Sequence, residues 1–257
     1  MVVTFFGKPP FWMPAFLVSC RTNADVEWII YSDIDPPQGV PANVSFRRMS
    51  VEELNERCSH VLGTRVDIKR RKLCDLKVTY GVIFADDLLP FDFWGCSDLD
   101  IIWGDIRRFA TDACLQAHDV FSSRKERLSG HCTFYRNTPE VNCLFERIPE
   151  VRTLLSTSHY EHLDERELTK YVRLPSHGGR SGPRIYWQEE LATNAAYQKA
   201  LRDESMTWNK GRTLGPDGRE LMYIHFHKLK EDMDTIDFDT PDAPVSFRIN
   251  RQGFLAG

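Results

Sequence analysis

Residues 93–105 read Phe-Trp-Gly-Cys-Ser-Asp-Leu-Asp-Ile-Ile-Trp-Gly-Asp, and this stretch carries the strongest indication of the fold. Large apolar residues flank an Asp-x-Asp pair formed by Asp98 and Asp100. In an extended strand, residues two apart point to the same side, so these carboxylates would converge while Leu99 points into a core. Carboxylates beside so much apolar surface need a partner, and a divalent cation that prefers oxygen ligands is one. The stretch therefore predicts a buried strand that ends at a metal site.

A second interpretation of the same pair stays open. Asp-x-Asp triplets also occur at turns and at helix N-caps, where they bind no metal. The flanking apolar runs favour the metal site, because open α/β sheets bind ligands beyond the ends of their strands.

Composition indicates a globular protein with one large domain. The chain has 257 residues, of which 42% are hydrophobic and 12% aromatic, enough to bury a substantial core. The formal net charge is −4, and the basic run Lys69–Lys72 is short, so we expect no nucleic-acid partner. We predict a single domain that spans residues 1–257.

The cysteines and the absence of long apolar runs bear on location. Seven cysteines are dispersed without a Cys-x-x-Cys pair, which is typical of a reducing compartment. The start of the sequence lacks the pattern of a signal peptide, and no run approaches the ~20 apolar residues of a transmembrane helix. We predict a cytoplasmic protein with no transmembrane segment, and peripheral association with the inner face of a membrane stays open.

Strands and helices alternate along the first part of the chain. Val2–Phe6 and Val26–Asp33 have the composition of strands, and a helix is expected between them. Ser50 and Glu53 form a capping box at the start of another helix. This order predicts an α/β fold with a mostly parallel sheet flanked by helices. Further predicted elements are a helix over 70–80, strands over 119–122 and 131–135, a helix that begins near 162, a loop over 176–183, a helix over 188–202 and a strand over 221–227.

Three blocks of sequence carry a resemblance to a known superfamily. They are Lys-Leu-Cys-Asp-Leu-Lys at 72–77, the stretch at 93–100, and Ile-His-Phe-His-Lys-Leu-Lys at 224–230. With these blocks, the chain resembles the GT-A glycosyltransferases, most closely a largely bacterial family of GT-A-like proteins. The resemblance implies a GT-A-like, Rossmann-like sheet with a smaller C-terminal elaboration. It also implies a nucleotide-sugar-binding half over 1–136 and an acceptor-side half over 137–257.

The resemblance implies metal-dependent transfer of a sugar from a nucleoside-diphosphate sugar, with a UDP-sugar favoured, to a hydroxyl of a saccharide or glycoconjugate acceptor. The product would belong to polysaccharide or glycoconjugate synthesis. Asp98, Asp100 and His225 are the implied metal ligands. An imidazole ligand favours Mn²⁺ over Mg²⁺ as the cofactor, because it is a softer donor than oxygen. Whether His225 or His227 is the ligand stays open.

The same resemblance implies roles for further residues. Asp164 and Glu165 are the candidate catalytic residues at the acceptor; in an inverting enzyme one of them would take the acceptor proton, and the stereochemistry stays open. For Asp75 and Lys77 the alternative is an exposed helix ion pair, and for Asp33 a turn-initiating role. The implied donor-binding residues are Asp33, Lys72, Asp75, Lys77, Ser97, Asp98, Leu99, Gly130, His131, Lys228 and Lys230.

Two competing functions remain. A second Asp-x-Asp pair, Asp33 and Asp35, follows an apolar strand as in haloacid-dehalogenase-type Mg²⁺-dependent phosphatases, where the first Asp is a nucleophile. That interpretation ranks lower because it gives no role to the Asp98 stretch or to His225. The third candidate is a non-catalytic module that binds sugar nucleotides.

Overall fold

The computed structural model describes residues 1–69, 71–174, 182–188 and 204–257. The chain divides into two compact units that alternate along the sequence. The first unit contains Met1–Thr4, Met49–Ser97 and Asp112–Glu190, and the second contains Phe5–Arg48, Asp98–Thr111 and Leu191–Gly257. Most of the predicted loop over 176–183 and of the predicted helix over 188–202 lies outside the described residues.

The elements are numbered here in chain order. The strands are β1 Val2–Phe5, β2 Trp28–Ser32, β3 Val44–Arg48, β4 Phe93–Ser97, β5 Ile101–Trp103, β6 Val120–Ser122, β7 Cys132–Arg136, β8 Ile185–Trp187, β9 Met206–Asn209, β10 Arg212–Leu214, β11 Glu220–Leu221, β12 Tyr223–His225, β13 Thr235–Ile236, β14 Ser246–Asn250 and β15 Gly253–Ala256. The α-helices are α1 Met13–Arg21, α2 Val51–Leu62, α3 Lys72–Asp75, α4 Tyr80–Ile83, α5 Ala85–Leu88, α6 Ile106–Phe109, α7 Asp112–Ala117, α8 Pro139–Asn142, α9 Val151–Ser156 and α10 Leu168–Arg173. Turns of 3₁₀-helix span Leu76–Thr79 and Leu144–Arg147, and a π-helix spans Leu163–Glu167.

The sheet of the first unit is mixed. Its strands lie in the order β1-β4-β7-β6-β8, with β1 parallel to β4 and β6 parallel to β8. Strand β7 is antiparallel to both β4 and β6. The α/β prediction is confirmed, and the predicted parallel arrangement only in part, since β7 runs against both of its neighbours. The reason is that β6 and β7 are joined by a loop without the crossover that a parallel pair needs.

Among its described residues, the second unit contains three groups of paired strands. Strands β2 and β3 pair in parallel, and β5 pairs with β12 in an antiparallel ribbon. A further sheet has the order β11-β10-β9-β14-β15-β13 and is antiparallel except at β13 and β15. Apolar residues of α1, β5, β12 and this sheet form one buried cluster that includes Val18, Ile102, Ile224, Trp208 and Phe247. Removal of these apolar side chains from water stabilises the unit.

Helix boundaries follow the capping signals of the sequence at α2. The Ser50 hydroxyl accepts the Glu53 N–H and the Glu53 carboxylate accepts the Ser50 N–H, so the predicted capping box is confirmed. Gly63 ends the helix in the left-handed conformation with φ 62°.

The prediction of one continuous helix over 70–80 is wrong. Two short α-helical turns, α3 and α4, flank the 3₁₀ turn Leu76–Thr79 instead. The predicted strand over 221–227 is likewise too long, because β12 ends at His225 and His227 lies in the following turn. No helix among the described residues is long and apolar enough to cross a membrane.

Candidate metal centre

The Asp98–Asp100 segment is a bend between β4 and β5, not the end of a continuous strand. The backbone carbonyls of this segment therefore accept hydrogen bonds from donors other than a neighbouring strand of a regular sheet. The indole N–H of Trp12 donates to the Leu99 carbonyl over 3.0 Å, and the Phe226 N–H donates to the Asp100 carbonyl over 3.1 Å. The predicted strand geometry is wrong at this point, because these outside donors hold the buried backbone instead.

The ribbon of β5 and β12 brings His225 to the two carboxylates. His225 pairs with Ile101, the residue that follows Asp100, so a fixed strand register places the histidine beside the bend. The ribbon is anchored by Trp103, whose ring packs edge-on against Tyr223 with 5.5 Å between centroids. Residues far apart in the sequence are thus positioned by backbone hydrogen bonds.

Asp98, Asp100 and His225 form a cluster whose ligand atoms all lie within 4.8 Å of one another. His225 Nε2 lies 3.3 Å from Asp100 Oδ1. Asp100 and His225 are buried, with 5% and 7% exposure, and Asp98 is half-buried. Two carboxylates and one imidazole that converge in this way fit a divalent cation, and Asp98 is the most exposed of the three residues.

Lys230 supplies a positive charge at the same carboxylate. Its Nζ donates to Asp100 Oδ2 over 2.7 Å, while His225 approaches the other oxygen. Burial acts to raise the pKa of the Asp100 carboxyl, but the contacts with His225 and Lys230 outweigh it and hold the pKa below its usual value. Asp100 is therefore a carboxylate at neutral pH, which is the form that binds a cation.

Of the two histidines in this block, His225 is the one in the cluster. His227 is exposed, and its ring stacks on that of His225 with 4.9 Å between centroids. Partial burial and the neighbouring His225 lower the pKa of His227. Lys228 is also exposed.

Several predicted donor-binding residues form a buried network in the first unit. Lys72 and Asp75 are fully buried and paired, with 3.0 Å between Lys72 Nζ and Asp75 Oδ2. Asp75 also accepts the N–H groups of Glu161 and Leu163 over 2.8 and 2.9 Å. The alternative of an exposed ion pair between Asp75 and Lys77 is wrong, because Asp75 pairs with Lys72 and both carboxylate oxygens are engaged in the interior.

Lys77 and Gly130 are brought together in the same unit. Lys77, only 6% exposed, donates from Nζ to the Gly130 carbonyl over 2.7 Å. A side chain at position 130 would overlap the Asp164 carboxylate, so only glycine fits there. His131, the next residue in the sequence, is also buried.

Asp164 and Glu165, the predicted catalytic residues, lie in the π-helix that begins after His162. Asp164 is buried, and Tyr160 donates its hydroxyl to Asp164 Oδ1 over 2.9 Å. Burial raises the pKa of Asp164 to about 7; Lys77 opposes this shift and Glu165 adds to it. A pKa in that range suits a group that transfers protons at neutral pH.

The Glu165 carboxylate lies between two arginines. Its Oε1 is 3.6 Å from Arg124 and its Oε2 is 3.4 Å from Arg127. His162, just before the π-helix, adopts the left-handed conformation with φ 58°. Both a non-glycine residue in that conformation and a π-helical turn recur at functional sites.

The remaining predicted residues have simpler surroundings. Asp33 is exposed and accepts the Gly7 N–H over 2.9 Å, as a turn residue does. Asp35 pairs with Arg48 on the surface, so neither carboxylate of the phosphatase interpretation belongs to the Asp-Asp-His cluster. Ser97 ends β4 and is buried, and Leu99 contributes its carbonyl to Trp12.

Sequence reasoning missed two supporting residues. Tyr160 lies four residues before Asp164 but outside the π-helix, so no regular spacing in the sequence signals the contact. Trp12 contacts Leu99 across 87 positions, and no local pattern indicates such a pair.

The fold and the site define a mixed α/β protein that carries a largely buried Asp-Asp-His cluster. The chain belongs to the family described as Family of unknown function (DUF6625), which matches residues 1–256. No curated protein and no solved structure matches the chain.

Proposed function

We propose that this protein is a metal-dependent glycosyltransferase that uses a nucleoside-diphosphate sugar, with a UDP-sugar as the favoured donor. The observation that carries the proposal is the convergence of Asp98, Asp100 and His225 within 4.8 Å. A divalent cation, Mn²⁺ or Mg²⁺, would act there as a Lewis acid on the departing diphosphate. The sequence resemblance to GT-A glycosyltransferases supports this choice over other metal-dependent reactions.

The residues around the cluster have separate roles in the proposal. Asp98 and Asp100 supply the negative charge that retains the cation, and His225 orients it from the β12 end. Lys230 and Lys228 add positive charge on the side where diphosphate oxygens would bind. Asp98, half-buried, is the ligand through which the site meets its substrate.

The acceptor side of the proposal rests on the resemblance together with the state of one carboxyl group. Asp164, with its pKa of about 7, has the acidity of a proton-transfer group, and Glu165 is its charged neighbour. The acceptor is a hydroxyl of a saccharide or glycoconjugate. The reducing location implied by seven dispersed cysteines is part of the same proposal: a cytoplasmic enzyme, with peripheral membrane association as an option.

The test is release of nucleoside diphosphate from a panel of sugar nucleotides by the purified full chain. Without an acceptor, water replaces the hydroxyl, so each cleaved donor yields one free sugar and one nucleoside diphosphate. We expect release with one UDP-sugar in Mn²⁺, abolition by EDTA, and loss in Asp98→Asn. Absence of both binding and cleavage across UDP-, GDP-, ADP-, CDP- and dTDP-sugars, with either metal, would refute the proposal.

A further inference from the structure

Lys230 is bonded to a carboxylate that a bound cation would also use. Its ammonium lies 2.7 Å from Asp100 Oδ2, on one of the two carboxylates of the metal cluster. Lys230 thus already neutralises part of the negative charge that the cluster presents. A divalent ion bound to the same carboxylate would lie close to this ammonium, and like charges at that distance repel.

The backbone that carries Lys230 is fixed, whereas its side chain is accessible. The Phe226 carbonyl accepts the N–H groups of Leu229 and Lys230 over 2.8 and 3.1 Å. Leu229 is fully buried, and the Phe226 N–H is bonded to Asp100 itself. The Lys230 side chain is 39% exposed and has four rotatable carbon–carbon bonds, so its ammonium can leave Asp100 without movement of the turn.

We infer that Lys230 is an internal competitor of the metal, which holds Asp100 in the free protein and transfers to a diphosphate when metal and nucleotide bind together. This inference rests on the proposed metal centre and adds a coupling to it. Metal that binds without a nucleotide must displace the Lys230 ammonium from Asp100, and the displaced ammonium then has no new anionic partner. A diphosphate supplies a new partner for the displaced Lys230, so each ligand strengthens binding of the other.

The experiment measures the affinity of the full-length protein for Mn²⁺, by electron paramagnetic resonance of the free ion, with and without UDP. In Lys230→Met, with the competitor removed, we expect affinity for Mn²⁺ alone to rise at least ~5-fold, the lower end of common coupling factors. The factor by which UDP strengthens Mn²⁺ binding should fall by a similar amount. These opposite changes distinguish competition from a purely structural salt bridge, which would alter the melting temperature and neither affinity.

Three variants control the measurement. Lys210→Met removes the same charge from an exposed position of the same unit and should change Mn²⁺ affinity less than about twofold, with or without UDP. Lys230→Arg keeps the charge and should stay close to wild type in affinity for Mn²⁺ alone. Lys230→Gln is a second neutral variant in case the methionine variant folds poorly.

The outcomes separate the two proposals. Equal or weaker Mn²⁺ affinity in both neutral variants overturns the competition. Failure of every variant and of the wild type to bind Mn²⁺ overturns the competition and the metal centre together. Mn²⁺ binding with the expected Lys230 effects, but without cleavage of any sugar nucleotide, leaves the competition standing and removes only the glycosyltransferase proposal.

Discussion

The Phe226 N–H donates to the Asp100 carbonyl over 3.1 Å, so the residue after His225 is bonded to the residue before Ile101. This bond continues the register of the β5–β12 ribbon by one step beyond its last pair, His225 and Ile101. The backbone hydrogen bonds of the ribbon, together with the bond from Phe226 to Asp100, therefore fix the positions of Asp100 and His225. Such a preorganised ligand set loses little order when a cation binds, and it makes the effects of side-chain substitution interpretable.

Replacement of Asp98 should separate metal binding from folding. Asp98→Asn keeps the shape of a half-buried side chain but removes one charged ligand, so the melting temperature should change by only a few degrees. Mn²⁺ affinity should fall by at least ~10- to 100-fold, because the loss of a residue that only hydrogen-bonds to a metal ligand already has an effect of this size. Titration calorimetry measures the affinity.

Asp33→Asn is the matched control, since it makes the same exchange at an exposed carboxylate of the same unit. Unchanged Mn²⁺ affinity in Asp98→Asn, or an equal loss in Asp33→Asn, would contradict the assignment.

Substitution of His225 should change the preference between metals. Imidazole is a softer donor than carboxylate oxygen, so His225→Ala should weaken Mn²⁺ binding more than Mg²⁺ binding. The ratio of the two dissociation constants, measured by competition, is the relevant quantity. His227→Ala serves as the control and should leave this ratio close to that of the wild type. A larger effect at His227 would make it the ligand instead.

The buried carboxyl of Asp164 should give stability a defined pH dependence. Its pKa is raised to about 7 in the folded state, from the ordinary value of 3.8. Between these values the unfolded chain releases the proton while the folded protein retains it, so the free energy of unfolding falls as pH rises. The loss is on the order of 4 kcal/mol across the window, at about 1.36 kcal/mol for each pKa unit.

Asp164→Asn mimics the protonated form and removes this contribution. Its free energy of unfolding, from urea titrations in EDTA, should therefore gain on that of the wild type as pH rises from 4 to 8. Asp86→Asn makes the same exchange at an exposed carboxyl of the first unit and is the control. A difference between Asp164→Asn and wild type that is constant with pH would show that folding does not raise the pKa of Asp164.

The buried Lys72–Asp75 pair should respond strongly to single substitution. Lys72→Met leaves the Asp75 charge in the interior and should cost about 3–5 kcal/mol in the free energy of unfolding. The exposed pair of Lys170 with Glu167 has the same sequence spacing, so Lys170→Met should cost less than about 1 kcal/mol. Urea unfolding of both variants tests the contrast.

A double substitution separates charge from hydrogen bonding at the same pair. Lys72→Met with Asp75→Leu removes both charges but leaves the N–H groups of Glu161 and Leu163 without their acceptor. Each such loss costs about 1–3 kcal/mol, so the double variant should remain destabilised. Full recovery of stability would mean that Asp75 does not fix the segment before the π-helix.

The sequence predicted which side chains form the Asp-Asp-His cluster better than it predicted the geometry of the cluster. Asp98 and Asp100 are marked by local spacing, and His225 by a block of similar sequence. That the carboxylates converge at a bend was not predictable from alternation, because the bend depends on Trp12 and Phe226 from distant segments. A local pattern indicates which side chains are suited to a site, whereas long-range contacts determine the backbone path.

Buried charge was the second feature beyond the reach of the sequence. Lysines are ordinarily exposed, and the resemblance implies only that Lys72 contacts the donor. It is instead fully buried, and the Leu154 carbonyl and the Thr157 hydroxyl, at 2.7 and 3.3 Å from its ammonium, complete its coordination. The partners lie more than 80 positions away. The antiparallel direction of β7 depends in the same way on the loop that joins it to β6.

The alternation of the two units along the chain has a consequence for how the protein forms. No single cut yields either unit as one continuous piece, because each is assembled from three separated segments. Expression of an N-terminal or C-terminal half should therefore give aggregation-prone chains with incomplete cores. Contacts between segments so far apart in sequence also predict slow folding, since chain entropy must be lost before those contacts form. Circular permutants that preserve all the segments are the appropriate starting point for dissecting this molecule.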